Sequence, residues 1–489
     1  MPTITSRRPG GARADSRPPA RPSAQARFTL ALAAGKAAGT ASRALRAGGG
    51  TSFVGKVALR IDPHVLRKVA AASDARTLIV TGSNGKTTTC RMLAALAQAG
   101  GLAVTQNRSG SNLLQGVVSA AVRGTDLRGR LDAQLFLLEV DEATVRLVTP
   151  DVPPATFLIT NIFRDQLDRF GELYSMAKGL EAVIEALPAS ATVVLNGDDP
   201  LVASLAPGAA ARRLYFGLRA GAAGPERPEH AADTIRCVHC QHVLHYRAVY
   251  LSHLGDYQCP ECGRGRPELD VAVTSVRPSP DGGSEITVQT PSGTFELRVP
   301  LPGPHNLYNA AAALAGWTAL APPQPLEPAQ ARRAMAGLRP AFGRLEEIQA
   351  GERRIVLAFV KNPTAYNATL REVLRRPGRK HVLAAHSNTV VDGEDFAWLW
   401  DVDVEQLVPQ LASLVASGTR AEEVTLRFKY AGADPAVMHL RPSRPAALRA
   451  ALAATPPGES LYIFAGYTPM RELRSIMQRR GWVAPSWKE

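Results

Sequence analysis

Long apolar runs are missing from this 489-residue chain. The longest near the start, residues 28–35, stops at Lys36, well short of the roughly 20 residues a bilayer-spanning helix needs. It is followed by a lysine and by no clear cleavage site, which argues against a secretory signal. The chain therefore reads as cytoplasmic, with peripheral contact at the cytoplasmic membrane face left open. Acid is nearly absent from the first fifty residues, where Arg7, Arg8, Arg13, Arg17, Arg21, Arg27, Lys36, Arg43 and Arg46 face Asp15 alone. More than half of the net charge of +14 thus sits there. The first 26 residues also lack an apolar period, so they bury too little surface to offset the entropy of ordering. Residues 1–50 are expected to form a basic, disordered tail and lead-in. Such a tail suits contact with an anionic surface or a plain solvated arm. Aromatic residues are sparse at 6%, while the 45% apolar content is ordinary for soluble α/β proteins. The length exceeds what one core fills, so two or three domains are expected.

Cysteine is scarce too, with five in all. Four of them, Cys237, Cys240, Cys259 and Cys262, form two C-x-x-C pairs separated by eighteen residues. That spacing builds a four-cysteine Zn²⁺ site from two tight knuckles, and a cytoplasmic setting disfavours disulfides. His239, His242, His245 and His253 lie nearby as alternative ligands or as ordinary surface histidines. A site closed by four thiolates is structural rather than catalytic.

The stretch TLIVTGSNGKTTTCRMLAALAQAG, residues 77–100, passes from a buried apolar strand into a segment with helical apolar spacing. The turn between them is where a phosphate loop belongs. Gly82 and Gly85 let backbone N–H groups converge on phosphate oxygens, with Asn84 and Thr88 in the same turn, and the helix N-terminus adds its field. Lys86 is placed to reach the phosphates of ATP, and the Thr87 hydroxyl to reach Mg²⁺. The loop has two fewer residues between its glycines than the common phosphate-loop pattern.

Further strands are expected at residues 135–140, 157–160 and 191–195, and helices at 90–99, 113–122 and 173–187. That alternation predicts a parallel sheet flanked by helices. The expected organisation is a central ATP-binding domain over 51–325, a zinc ribbon at 235–267 inserted in it, and a C-terminal α/β domain over 340–489. In the last, RIVLAFV, HVLAA, EVTLRF and LYIFAG are strand candidates. LFLLEVDEA ends a strand with Glu139, Asp141 and Glu142 at its carboxyl end, where ligands bind in parallel sheets. A carboxylate there can hold Mg²⁺. Asn161, Asp165 and Asp168 follow the next strand; Asn306 and Asn309 share a helix face after Gly303; Arg344 is a candidate phosphate clamp.

In this order the pieces resemble the Mur ligase family, the ATP-dependent amide-forming enzymes of peptidoglycan assembly, which use a short phosphate loop of this kind. The resemblance implies that Lys86 and Thr87 bind ATP and Mg²⁺, that Glu139 ligates the metal, that Asn306 faces the adenine, and that Arg344 touches the γ-phosphate. Lys178 falls where many Mur ligases carry a carbamoylated lysine. Gln166 stands where these ligases have a histidine on a second metal, which puts that metal in question.

Within the family, the four-cysteine insert, RALRAGGGTSFVGKVALRIDP, FVKNPTAYNATL and DGEDFAWLWDVDVE resemble the MurT-type ligase subunits of lipid II isoglutaminyl synthase. These act with a GatD-type glutaminase to amidate the D-glutamate of the lipid II stem peptide. Ser387, Asn388 and Tyr366 depart from that pattern and bear on substrate contacts. The resemblance implies an acyl phosphate made from ATP, ammonia delivered by a separate polypeptide, and an acid lent to the partner's Cys–His pair. Asp401 is favoured for that acid, then Asp395, with Asp392 and Asp403 also available. Cys90, just after the phosphate loop, is expected to be packed rather than reactive. Two rivals are an amino-acid-adding Mur ligase acting alone and a zinc-ribbon nucleic-acid-binding ATPase. The ribbon carries no long basic run, so no nucleic acid is expected.

Overall fold

The structure, a computed structural model, describes residues 23–44, 52–107, 111–164, 173–219, 232–280, 282–322, 324–339, 343, 345–389 and 392–483. The strands are β1 Arg76–Thr81, β2 Val104–Gln106, β3 Leu135–Glu139, β4 Thr156–Ile159, β5 Thr192–Asn196, β6 Arg212–Leu218, β7 His245–Leu251, β8 Leu254–Gln258, β9 Val271–Pro278, β10 Ser284–Thr290 and β11 Gly293–Val299. Then follow β12 Glu346–Ala350, β13 Arg353–Phe359, β14 Lys380–Ala385, β15 Leu411–Ser417, β16 Met438–Leu440 and β17 Ser460–Ala465.

The first sheet runs β11-β10-β9-β6-β5-β4-β1-β3-β2. From β2 to β9 neighbouring strands are parallel, and β10 and β11 are added antiparallel. Because side chains alternate across a strand, β1 sends Leu78 and Val80 to one core and Ile79 to another. The first core lies under the helices Lys86–Ala99 and Pro304–Leu320; the second lies under Leu114–Gly124 and Leu173–Glu185. Both faces are covered, which is why the central strands read as continuous apolar runs rather than alternating ones. The strand order places β1 between β3 and β4, so the carboxyl ends of all three converge at the phosphate loop.

The second sheet, β12-β13-β17-β14-β15-β16, is parallel except for the β12–β13 pair. The hairpin β7–β8 pairs with neither large sheet and forms a two-stranded ribbon flanked by the four cysteines. The α/β class with a flanked parallel sheet, a cysteine ribbon and a second α/β sheet is as the sequence indicates.

Several elements differ from expectation. Ala24–Ala44 is a helix, not a continuation of the tail, and its Phe28, Ala31 and Leu32 are buried against Val54 and Val122 of the second core. Its apolar side chains are spread among alanines, so its face shows little contrast in sequence. Residues 1–22 lie outside the described residues. EVTLRF is not a strand but part of the helix Ala421–Tyr430, whose Val424 and Phe428 sit four apart on the buried face. Alternation of Val424, Leu426 and Phe428 imitates a strand, whereas Glu422 and Glu423 in the first turn and Arg427 and Lys429 in the last favour a helix. The strand β15, with its mild sequence LASLVAS, has no counterpart in the sequence reading. The helix Pro328–Ala336 contributes Ala331 and Met335 to the first core, beyond the expected limit at 325.

Candidate active site

The phosphate loop leaves β1 and enters the helix Lys86–Ala99 through two glycines at positive φ, Gly82 at 122° and Gly85 at 88°. Glycine is needed on space as well as on φ. A Cβ at Gly82 would lie 2.3 Å from Thr160 Oγ1, and one at Gly85 would lie 2.2 Å from Asn309 Oδ1. The loop is held from the β4 side, where the Asn84 amide donates to Asn161 Oδ1 at 2.9 Å and Ser83 Oγ exchanges hydrogen bonds with the Phe163 backbone.

At the helix N-terminus, Thr87 Oγ1 lies 3.0 and 2.9 Å from the two oxygens of Glu139, the last residue of β3. Asn107 fixes that strand end by accepting from the Glu139 amide and donating to its carbonyl. Lys86 bonds back to the Gly82 carbonyl and pairs with Glu142 at 3.0 Å; both side chains are almost fully buried. Burial pushes the Glu142 carboxyl up, but the charges of Lys86 and of Lys361, from the second sheet's side, outweigh it and hold Glu142 below the usual range. Burial and then the Glu142 charge push Asp141 up. A hydroxyl facing a carboxylate, a buried ammonium and a helix N-terminus suit Mg²⁺ with a polyphosphate. The buried Asn84 Nδ2 has no hydrogen-bond partner among the described residues, so the loop retains an unspent donor.

Asn309 Oδ1 accepts from Thr89, and Asn309 Nδ2 donates to Asn306 Oδ1 at 3.0 Å, so the expected pair does share one helix face beside Gly85. Both asparagines, with Asn84, Gly85 and Thr88, line a cavity that also meets Phe359 and Thr364 of the second α/β unit. Asn362 caps the helix Pro363–Arg375 and reaches Asn84 Oδ1 at 3.3 Å, tying that unit to the loop. The roles of Glu142, Asn107, Asn362 and Lys361 were not read from sequence. KNP, an N-cap asparagine followed by proline at the first helical position, was the available signal for Asn362.

Other expected residues are placed differently. Arg344, Asp165, Gln166 and Asp168 lie outside the described residues. Lys178 is exposed on the helix Leu173–Glu185. Asp401 is held by Arg164 at 3.3 Å; Asp392 accepts from Thr389 and from the Thr468 amide; Asp395 caps Ala397. Trp400 is about half exposed, with the exposed Tyr430 edge-on to it. Cys90 is buried, and burial, then the Glu139 charge, pushes its thiol well up. No helix among the described residues is long and apolar enough to cross a membrane.

The four ribbon cysteines bring their sulfurs within 4.8 Å of one another, and none is in a disulfide. The two knuckles match: the residue after each pair, Gln241 at φ 63° and Gly263 at φ 70°, takes the same left-handed turn. A hydrogen bond from the Cys262 amide pulls the Cys259 thiol down, while the packed neighbouring sulfurs help to push those of Cys240 and Cys262 up, as closely clustered thiols do to one another. Four thiols on two paired turns fit a closed zinc site.

Comparison with known proteins agrees with this geometry. Residues 80–250 match the family description "Mur ligase middle domain", and residues 359–470 match "MurT ligase C-terminal". A Streptococcus pneumoniae protein named lipid II isoglutaminyl synthase (glutamine-hydrolyzing) subunit MurT is 30% identical over 437 residues, 89% of this chain and 94% of that protein. A Staphylococcus aureus protein of the same name is 28% identical over 80% of this chain and 86% of its own length. Among solved structures, a pseudomurein peptide ligase type C from Methanothermus fervidus aligns with TM-score 0.63 at 21% identity, covering 83% of this chain and 79% of that one. MurF ligase from Thermotoga maritima, in complex with ADP, aligns with TM-score 0.59 at 16% identity over 86% and 84%. These two show the fold. With its phosphate loop on a Mur ligase sheet and a MurT relative matched over nearly its full length, the chain belongs to the MurT family.

Proposed function

We propose that this chain is the ligase subunit of a lipid II isoglutaminyl synthase, performing ATP-dependent amidation in peptidoglycan synthesis. The observation that carries the proposal is the Lys86, Thr87 and Glu139 constellation in a MurT-family chain, on the same phosphate loop whose Asn84, Gly85 and Thr88 line the cavity. A carboxylate is a poor electrophile. Transfer of the γ-phosphoryl group of ATP to the D-glutamate α-carboxylate of the stem peptide releases ADP and leaves an acyl phosphate. Ammonia then attacks the acyl carbon, phosphate departs, and D-isoglutamine is formed. Lys86 would spread the charge of the transferring group, Thr87 and Glu139 would hold Mg²⁺, which would supply positive charge to the phosphates, and Arg344 is assigned to the γ-phosphate from the family resemblance. Asn306 orients the base. The four cysteines hold Zn²⁺, which supplies structure and no chemistry.

The ammonia comes from a GatD-type glutaminase. A glutaminase needs a reactive thiolate with a base, and the buried Cys90 and the clustered ribbon cysteines do not offer one. Trp400 and Tyr430, exposed beside the acids of residues 392–405, suit the partner's docking face, where aromatics are enriched. Asp401 is the proposed acid for the partner's Cys–His pair; its contact with Arg164 would then open on assembly.

The test is co-expression with a candidate glutaminase and assay of glutamine-dependent amidation of lipid II. Asp401→Asn is expected to impair the glutamine-driven reaction and to be rescued by added ammonium. Amide formation from glutamine by the chain alone, or amidation without ATP consumption, would overturn the proposal.

A further inference from the structure

The cysteine ribbon is not a separate appendage. Its strands β7 and β8 run from the sulfur cluster to a turn, Leu251 to Leu254, that enters the first core. Leu254 is fully buried and Leu251 nearly so, and both line the cavity shared by Asn84, Gly85, Asn306 and Asn309. The turn is plugged in place. His253, fully buried, lies against the Phe163 ring at 4.7 Å and 3.6 Å from Asp199, while Tyr246 donates to the His253 carbonyl at 3.0 Å. At the ribbon's exit Arg266 reaches Asp198 at 3.1 Å, and Asp198 accepts from Tyr308, another residue of the cavity wall, at 2.8 Å.

A two-stranded hairpin is marginal by itself. This one is fixed at one end by the cysteine cluster and at the other by the core. Its tip presents two branched apolar side chains to a cavity whose polar groups lie on the phosphate-loop side, on the helix Pro304–Leu320 and, as Thr364 and Thr369, on the helix Pro363–Arg375. A flat heteroaromatic base needs such a pairing: polar groups at its edge and an apolar wall for its face.

We infer that the zinc-held ribbon is part of the nucleotide site, with Leu251 and Leu254 forming the wall on which the base of ATP packs. The inference rests on the ATP reading above and adds a division of labour. The ribbon sets affinity for the base, and the loop sets affinity for the phosphates. Leu251 and Leu254 are residues of the base-binding wall.

The test measures binding to the full chain in complex with its glutaminase by calorimetry, using ATP and inorganic tripolyphosphate, which has the phosphates and no base. Leu251→Ala is expected to weaken ATP about tenfold, corresponding to about 1.4 kcal/mol, and to leave tripolyphosphate unchanged; Leu251→Met should recover most of the loss. Chelation of zinc from the parent complex, followed by metal release, should reproduce the same split and so covers the case of a variant that fails to fold. Equal weakening of both ligands in Leu251→Ala and on chelation, or ATP affinity unchanged in both, overturns the inference. If the parent binds neither ligand, the ATP reading of the site fails with it. If the parent binds ATP and only the split is absent, the ribbon's role alone is lost.

Discussion

Replacing Lys86 by methionine keeps the apolar stem and removes the charge that faces Glu142. The two groups are 3.0 Å apart with side chains 7% and 4% exposed, so the carboxylate would be left in a dry site with Lys361 as its remaining compensation. Removing one member of a buried ion pair costs about 3–5 kcal/mol. Glu142 has an escape, which is to take up a proton. From an unfolded-state value of about 4.3, doing so at pH 7.5 costs about 4 kcal/mol, and at pH 5.5 only about 2 kcal/mol. The smaller of the two costs applies, so the defect is expected to grow with pH. In the parent the Glu142 value is held below normal, and its contribution to stability is present above the unfolded value and lost as pH falls through the folded one. In Lys86→Met the folded value rises above the unfolded one, so the folded state keeps the extra proton and stability falls as pH climbs through that window. For a unit of this size, 4 kcal/mol lowers the melting temperature by roughly 10 °C. Thermal unfolding of Lys86→Met, Glu142→Gln and the double variant at pH 5.5 and 7.5 measures this. Lys86→Met should be inactive at both values; the double variant should regain most of the stability and none of the activity. A melting temperature of Lys86→Met equal to the parent's at pH 7.5, or an equal deficit at both pH values, would refute the argument.

Gly85→Ala sets a Cβ against Asn309 Oδ1 at a backbone angle that alanine rarely adopts, so nucleotide affinity should fall at least tenfold with a modest loss of stability, read by calorimetry and thermal unfolding. Asp198, fully buried, is pushed up by burial to about 6 despite Arg266, so the folded state holds its proton longer than the unfolded chain does. The parent should therefore lose stability as pH rises from about 4 through 6. Asp198→Asn, which cannot titrate, should gain relative to the parent by up to about 3 kcal/mol across that range. Parallel pH profiles for the two proteins would show that Asp198 carries no such burden.

The phosphate loop was legible because its chemistry is local. Two glycines, a lysine and a threonine between an apolar strand and a helix leave few other arrangements, and Glu139 ends its strand in the same register. The cysteine spacing was legible for the same reason: each knuckle closes within four residues. The strand-like alternation of residues 424–428 misled because it is also compatible with one buried helical stripe, and only packing against β14 and β15 chooses between the two. The helix Ala24–Ala44 gave little warning, since an alanine-rich segment acquires a buried face from what is set beside it.

The sequence by itself determined the nucleotide loop, the four-thiol ribbon and the parallel α/β plan, because each depends on residues close together in the chain. The tertiary structure decided who meets whom: Lys86 with Glu142, Asn362 with Asn84, Asp401 with Arg164, and the ribbon's leucines with the cavity. Those partners are separated by 56 to 278 residues where the hydrogen-bonded pairs are concerned. Burial and low dielectric, which set the strength of such contacts, arise only once the layers are assembled.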